Sequence, residues 1–151
     1  MRTNFLFKYH VNLGTGLEVG TTPYGQRFIV EVNGGAFEGE NFNGTIREHG
    51  CADWLTLDSK FAHLDVRATF ETHDNAYIYV QYNGLLELTP AIQEALQTGE
   101  GETEFGDQYF ITQIRMQSGD PRYDWVNHIL CVGEGRERIG RVEYNVYELA
   151  A

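Results

Sequence analysis

Leu64-Asp65-Val66-Arg67-Ala68-Thr69-Phe70 alternates apolar and polar residues without a break. That is the period of a β-strand with one buried face and not of a helix, whose apolar residues recur every three or four positions. The same alternation runs through Phe28-Ile29-Val30-Glu31-Val32, through Ala76-Tyr77-Ile78-Tyr79-Val80-Gln81-Tyr82 and through residues 109–116, and it predicts further strands over 124–132 and 141–149. Between these runs lie Asn33-Gly34-Gly35, His73-Asp74-Asn75, Ser118-Gly119-Asp120-Pro121 and Gly133-Glu134-Gly135, compositions that favour tight turns; Gly14-Thr15-Gly16 reads as another. Turns at such short intervals imply antiparallel neighbours.

One segment departs from the pattern. Thr89 precedes Pro90 and a helical run through Leu96, and Gly99 follows. Thr suits the N-cap, Pro the first turn and Gly the stop, so one short helix is expected, with Ile92 and Leu96 turned to the core. Gly99-Glu100-Gly101-Glu102-Thr103-Glu104 after it reads as a solvated loop. About eight to ten antiparallel strands and one helix make a mainly β chain, and closure into a barrel or a folded-over sandwich relieves the exposed edges. Residues 1–151 are read as one β-barrel domain, with no internal repeat.

Composition narrows the function. With 42% hydrophobic residues and nine each of Tyr and Phe, the chain carries the means to build a core despite a net charge of -11. Eleven Lys and Arg against 22 Asp and Glu disfavour nucleic acid and anionic membranes as partners. No apolar run approaches a membrane span, and the first eight residues do not resemble a signal peptide, so a cytoplasmic location is expected. Cys51 and Cys131 sit in apolar stretches and read as free, buried thiols. The five histidines lack the spacing of a metal site, and no phosphate loop, dinucleotide fingerprint, nucleophile elbow or zinc pattern is present. Any chemistry is therefore expected to need no cofactor and no metal.

In a closed sheet one face of every strand lines the bore, so polar residues in the alternating runs face either water or a pocket. Asp65 and Arg67 share a face, as ligand contacts or as a surface ion pair. Asp53, just before Trp54, is a second candidate carboxylate or a turn residue. A carboxylate held in an apolar lumen has its pKa raised, as a general base near neutrality requires. Tyr77 and Tyr79 flank Ile78, and Tyr109, Gln113 and Arg115 share one face of the next run. Trp125 and Asn127 fall together on the expected 124–132 strand, where an indole could wall a flat ligand or simply pack in the core, and His128 faces the other way.

The run Val19-Gly20-Thr21-Thr22-Pro23-Tyr24-Gly25-Gln26-Arg27, followed by Gly34-Gly35-Ala36-Phe37-Glu38-Gly39, resembles the domain-of-unknown-function family 3237, also called UPF0311. The likeness continues through Ala52-Asp53-Trp54, Asp65-Val66-Arg67, Tyr109-Phe110 and Gly119-Asp120-Pro121-Arg122-Tyr123-Asp124-Trp125-Val126-Asn127 to Val146-Tyr147-Glu148. Cys51 stands where the family pattern has a glycine, and Gln113-Ile114-Arg115 lacks the proline found beside the arginine. The resemblance implies a small lipocalin-like barrel, and for some members a cofactor-free cyclase or isomerase of secondary metabolism acting on phenolic or polyketide-derived substrates.

Together these readings give an expected catalytic set of Asp53, Asp65, Arg67, Tyr79 and Tyr109, and an expected substrate-binding set of Trp54, Tyr77, Gln113, Arg115, Trp125 and Asn127. The expected partner is a small hydrophobic organic molecule, with pairing of edge strands into a homodimer as a further expectation. Two other readings stand beside the enzyme. A carrier that releases its ligand unchanged needs no buried carboxylate, and a barrel with a solid core and a protein partner needs no cavity.

Overall fold

A computed structural model describes all residues from Met1 to Ala151. Nine antiparallel strands are present: β1 (Arg2–Thr22), β2 (Gly25–Gly39), β3 (Asn43–Ile46), β4 (Ala52–Leu57), β5 (Phe61–Thr72), β6 (Tyr77–Glu87), β7 (Phe110–Gln117), β8 (Leu130–Arg138) and β9 (Arg141–Ala150). The sheet runs β1-β9-β8-β7-β6-β5-β3-β2-β4, with β1 also paired to β2 and β5 to β4, so the succession of pairings returns to its start. β3 and β4 share one position: β4 lies on Gln26–Glu31 of β2, and β3 lies on Gly35–Glu38 of the same strand. The circuit therefore has eight positions, a size at which side chains almost fill the bore and room remains for one small ligand.

The glycine-rich stretches at 14–16, 33–35 and 133–135 are not turns; they lie inside β1, β2 and β8. In β2 the glycines mark the change of partner. Gly34 has φ +82°, and a Cβ on Gly35 would sit 2.0 Å from the His10 carbonyl oxygen, so β1 and β2 approach here only because the side chain is missing. Gly133 and Gly135 pair with Val146 and Tyr144 of β9 on the inward face. A Cβ on Gly135 would meet the Phe110 ring at 2.7 Å, so this glycine makes room for an aromatic ring in the bore. The register of β1 shifts between Val11 and Leu13 and again before Gly16, a bulge in a continuous strand.

The strand expected over 124–132 is also corrected. Pro121–His128 forms a 3₁₀ segment, and β8 begins at Leu130. Pro121 opens it, the Asp120 side chain accepts from the Arg122 N–H at 2.9 Å, and the buried Tyr123 and Val126 recur at a spacing of three, which suits a 3₁₀ turn and not a pleat.

The expected helix is α1 (Pro90–Thr98), with Thr89 Oγ1 accepting from the Ile92 N–H at 3.3 Å and Gly99 closing it at φ +71°. Ile92 and Ala95 are buried, whereas Leu96 stays 41% exposed instead of entering the core. No helix is long and apolar enough to cross a membrane.

The two ends of the bore differ. One is plugged by rings: Phe42 lies 5.0 Å from Phe7 and 4.7 Å from Phe37, centre to centre, and Phe37 lies 4.8 Å from Phe70. Tyr123 and Trp125 of the 3₁₀ segment pack edge-on against Phe42 from outside. Each ring so buried contributes roughly 1.5–3 kcal/mol, which makes this end the rigid base of the barrel. The other end, under α1, holds the cavity.

Candidate active site at the open end of the barrel

Space inside the open end divides into two chambers. The inner one, about 70 Å³, is walled by Leu55, Leu64, Val66, Leu86 and Phe110 and by the rings of Tyr82 and Tyr144. Only two charged residues face it, Asp53 from β4 and Glu137 from β8. The outer chamber, about 470 Å³, opens beneath α1 between Phe28, Leu57 and Gly140. Leu13, Val30, Leu55, Leu96 and Glu137 border both and form a neck between them.

Asp53 reaches the bore by parity: Asp53 and Leu55 point in and Trp54 points out. Its Oδ1 accepts the Asp65 N–H at 2.9 Å, which fixes the carboxyl against β5. Burial raises its pKa from an ordinary 3.8 to about 6, outweighing that hydrogen bond and the distant Arg27, both of which pull it down.

Glu137 is 5% exposed and its carboxyl has no cation beside it, since the neighbouring Arg138 turns outward to Glu104, 2.7 Å away. Burial alone raises its pKa from 4.5 to about 7. Its position is pinned by Thr103, whose N–H donates to the Glu137 carbonyl and whose hydroxyl accepts the Glu137 N–H, each at 3.1 Å.

Two tyrosines, Tyr82 and Tyr144, add hydroxyl groups to the chamber wall, and Tyr9 packs against both. The Tyr9 ring stacks on Tyr144 at 4.6 Å, and Tyr82 lies edge-on to both, 5.9 Å from Tyr9 and 5.5 Å from Tyr144. Burial pushes all three phenols well above their ordinary pKa, so they stay protonated and act as hydrogen-bond donors. The Tyr9 hydroxyl makes no hydrogen bond of good geometry within the protein, nor does Thr112 Oγ1.

Of the eleven expected site residues, only Asp53 lines the bore. On β5 the alternation buries Leu64, Val66 and Ala68 and turns Asp65 and Arg67 outward, where Arg67 sits over the Trp54 ring at 6.0 Å. Tyr77 and Tyr79 are outward on β6: Arg47 covers the first at 5.7 Å, and the second donates to Gln81 at 3.3 Å. Gln113 and Arg115 are exposed on the outer face of β7, and Tyr109 lies exposed just before that strand.

Trp125 and Asn127 sit at the plugged end. Asn127 is a clamp: its Oδ1 accepts the Ser118 N–H at 2.9 Å and its Nδ2 donates to the Ser118 carbonyl at 3.0 Å. Glu137, Tyr82 and Tyr144 are the functional candidates that the sequence reading missed. The available signal was phase, because Glu137 follows Cys131, Gly133 and Gly135 at even spacing on the buried face of its strand.

The whole chain matches one family model, described as a protein of unknown function (DUF3237), over residues 1–149. The chain belongs to this family. A UPF0311 protein of Rhodopseudomonas palustris is 26% identical over 149 residues, covering 99% of this chain and 97% of its own. The crystal structure of the R. palustris protein, of unknown function, superposes with a TM-score of 0.88 over 99% of this DUF3237 chain and 97% of its own. A β-barrel-like protein of Acinetobacter baumannii, 29% identical, has a TM-score of 0.82 over 99% of this chain and 96% of its own. An enzyme from Penicillium herquei shares the fold at 18% identity, with a TM-score of 0.68 over 97% and 94% of the two chains.

Proposed function

We propose that this DUF3237 protein is a cofactor-independent isomerase or cyclase that draws a small hydrophobic, oxygen-bearing metabolite of phenolic or polyketide type into the bore and moves a proton on it. The observation that carries the reading is Asp53: a carboxylate fixed by a backbone N–H, faced by apolar walls and tyrosine hydroxyls, with no cation nearer than the outer surface. A carrier has no need of such a group, because an unpaired buried carboxyl lowers stability without improving an apolar fit. With Asp53 as base, Tyr82 and Tyr144 hold the oxygen on which negative charge develops, and the apolar walls exclude water from the reacting carbon. A barrel of this fold also serves an enzyme in Penicillium herquei, which makes catalysis compatible with the scaffold and says nothing of the reaction.

The test needs no knowledge of the natural substrate. β-Tetralone incubated with the protein in D₂O should exchange its activated protons faster than in buffer, followed by proton NMR, and Asp53→Asn should remove at least about a hundredfold of that acceleration. In parallel, native mass spectrometry after exposure to a phenolic and polyketide-type extract reads whether a captured molecule is released altered. Captured molecules that always return unchanged, with no exchange of the ketone, would replace the enzyme by a carrier.

A further inference from the structure

We infer that Glu137 is a second catalytic acid–base residue, set on the wall opposite Asp53, so that one substrate loses a proton at one end and gains one at the other. The inference rests on the proton-transfer reading above and adds to it the direction of the reaction and the substrate it selects.

The geometry comes from the strand circuit. From β4 the pairings reach β8 by way of β5, β6 and β7 or by way of β2, β1 and β9, four steps in either direction. In a circuit of eight positions Asp53 and Glu137 therefore stand on opposite walls, and both side chains border the inner chamber. Tyr82 on β6 stands midway along one route, and Val11 and Leu13 of β1 stand midway along the other. Glu137 also borders both chambers, whereas Asp53 faces only the inner one. A molecule seated against Asp53 and passing through the neck must pass Glu137.

Glu137 also lacks any structural occupation that would explain its retention. Buried carboxyls in stable proteins accept hydrogen bonds or pair with cations. This one does neither, although Arg136, Arg138 and Arg141 are all close in sequence; those arginines are engaged with Glu104 and Glu143 on the outer surface. The inner chamber holds both acids and no cation, so the part of the ligand seated there is neutral; Arg138 borders only the outer chamber, where it pairs with Glu104.

The step balances on the protein's own groups. The Asp53 carboxylate removes a proton from the carbon beside a carbonyl, and the electron pair moves through the carbonyl and the adjoining double bond. Protonated Glu137 delivers its proton to the far carbon of that system. The product is an isomer of the substrate, no electrons are gained or lost, and the proton passes from Asp53 back to Glu137 through solvent once the bore empties. The selected substrate is therefore a ketone with an adjoining double bond, neutral where it is seated in the inner chamber and long enough to span the neck.

Two probes separate the roles. Proton exchange of β-tetralone in D₂O reads the base alone. Conversion of a β,γ-unsaturated cyclohexenone to its conjugated isomer, followed by ultraviolet absorbance with deuterium uptake at the far carbon, reads base and acid together. Glu137→Gln is expected to lower the ratio of conversion to exchange by about a hundredfold or more relative to wild type. Glu137→Asp, which keeps the acid on a shorter arm, should recover part of the conversion, and a thermal melt shows that each variant is folded. Equal loss of both reactions in Glu137→Gln, or of neither, overturns the inference. Wild-type protein that exchanges the ketone but does not convert the enone overturns it while leaving the proposed function standing, and wild-type protein that does neither overturns both.

Discussion

Replacing Glu137 by Gln should stabilise the protein, and only above about pH 5. In the unfolded chain this carboxyl ionises from about its ordinary 4.5, whereas in the fold burial holds it protonated up to about 7. Across that window the folded state binds more protons than the unfolded one, so stability falls as pH rises through it. At 1.36 kcal/mol per pKa unit the loss is about 3 kcal/mol, complete by about pH 8. Gln has the same shape and no charge to desolvate, so the variant should match wild type near pH 4 and exceed it by up to about 3 kcal/mol at pH 8. The titratable groups facing Glu137 are Tyr144, Tyr82 and Asp53, all present in both proteins. The paired surface carboxylates, such as Asp58, Asp74 and Asp120, have lowered pKa values and weaken both proteins alike in acid. Urea unfolding followed by the fluorescence of Trp54 and Trp125, at half-unit steps of pH, gives the difference directly. Parallel stability curves for the two proteins, with no divergence above about pH 5, would refute the claim that Glu137 is buried without a partner.

Two further substitutions probe the frame around the site. Gly135→Ala should cost about 1–3 kcal/mol and disturb the inner chamber, because the new methyl group would press on the Phe110 ring; a lowered melting temperature with weakened β-tetralone binding checks it. Asn127→Ala, which removes both bonds to Ser118, should destabilise by a similar amount through the plugged end and leave proton exchange at the open end unchanged in the folded protein.

The architecture was legible in the sequence where local rules suffice. Alternation is a property of each strand alone, so β5, β6, β7 and β9 could be read directly, as could the cap residues Thr89 and Gly99 of α1. The reading failed where a partner decides the outcome. Gly34 and Gly35 carry the same composition in a turn and in a bulge, and only the approach of the His10 backbone makes them a bulge. Tyr123 and Val126 fit alternation poorly, and Phe42, distant in sequence, is what draws the 3₁₀ segment inward over the base.

The site follows the same division. Asp53 could be found in the sequence as a carboxylate in an apolar setting, but which face of each strand turns inward is a decision of the closed sheet. That closure placed Asp65, Arg67 and Tyr79 on the outside, because a bore this narrow is lined by the apolar face, leaving a polar group inside only where one interrupts that face. Glu137 is such an interruption. From the sequence alone it is one of five charged residues between Glu134 and Arg138 and Arg141, and nothing local sets it apart. Its meaning comes from standing opposite Asp53, a relation between β4 and β8 that exists only once eight strand positions close into a circuit.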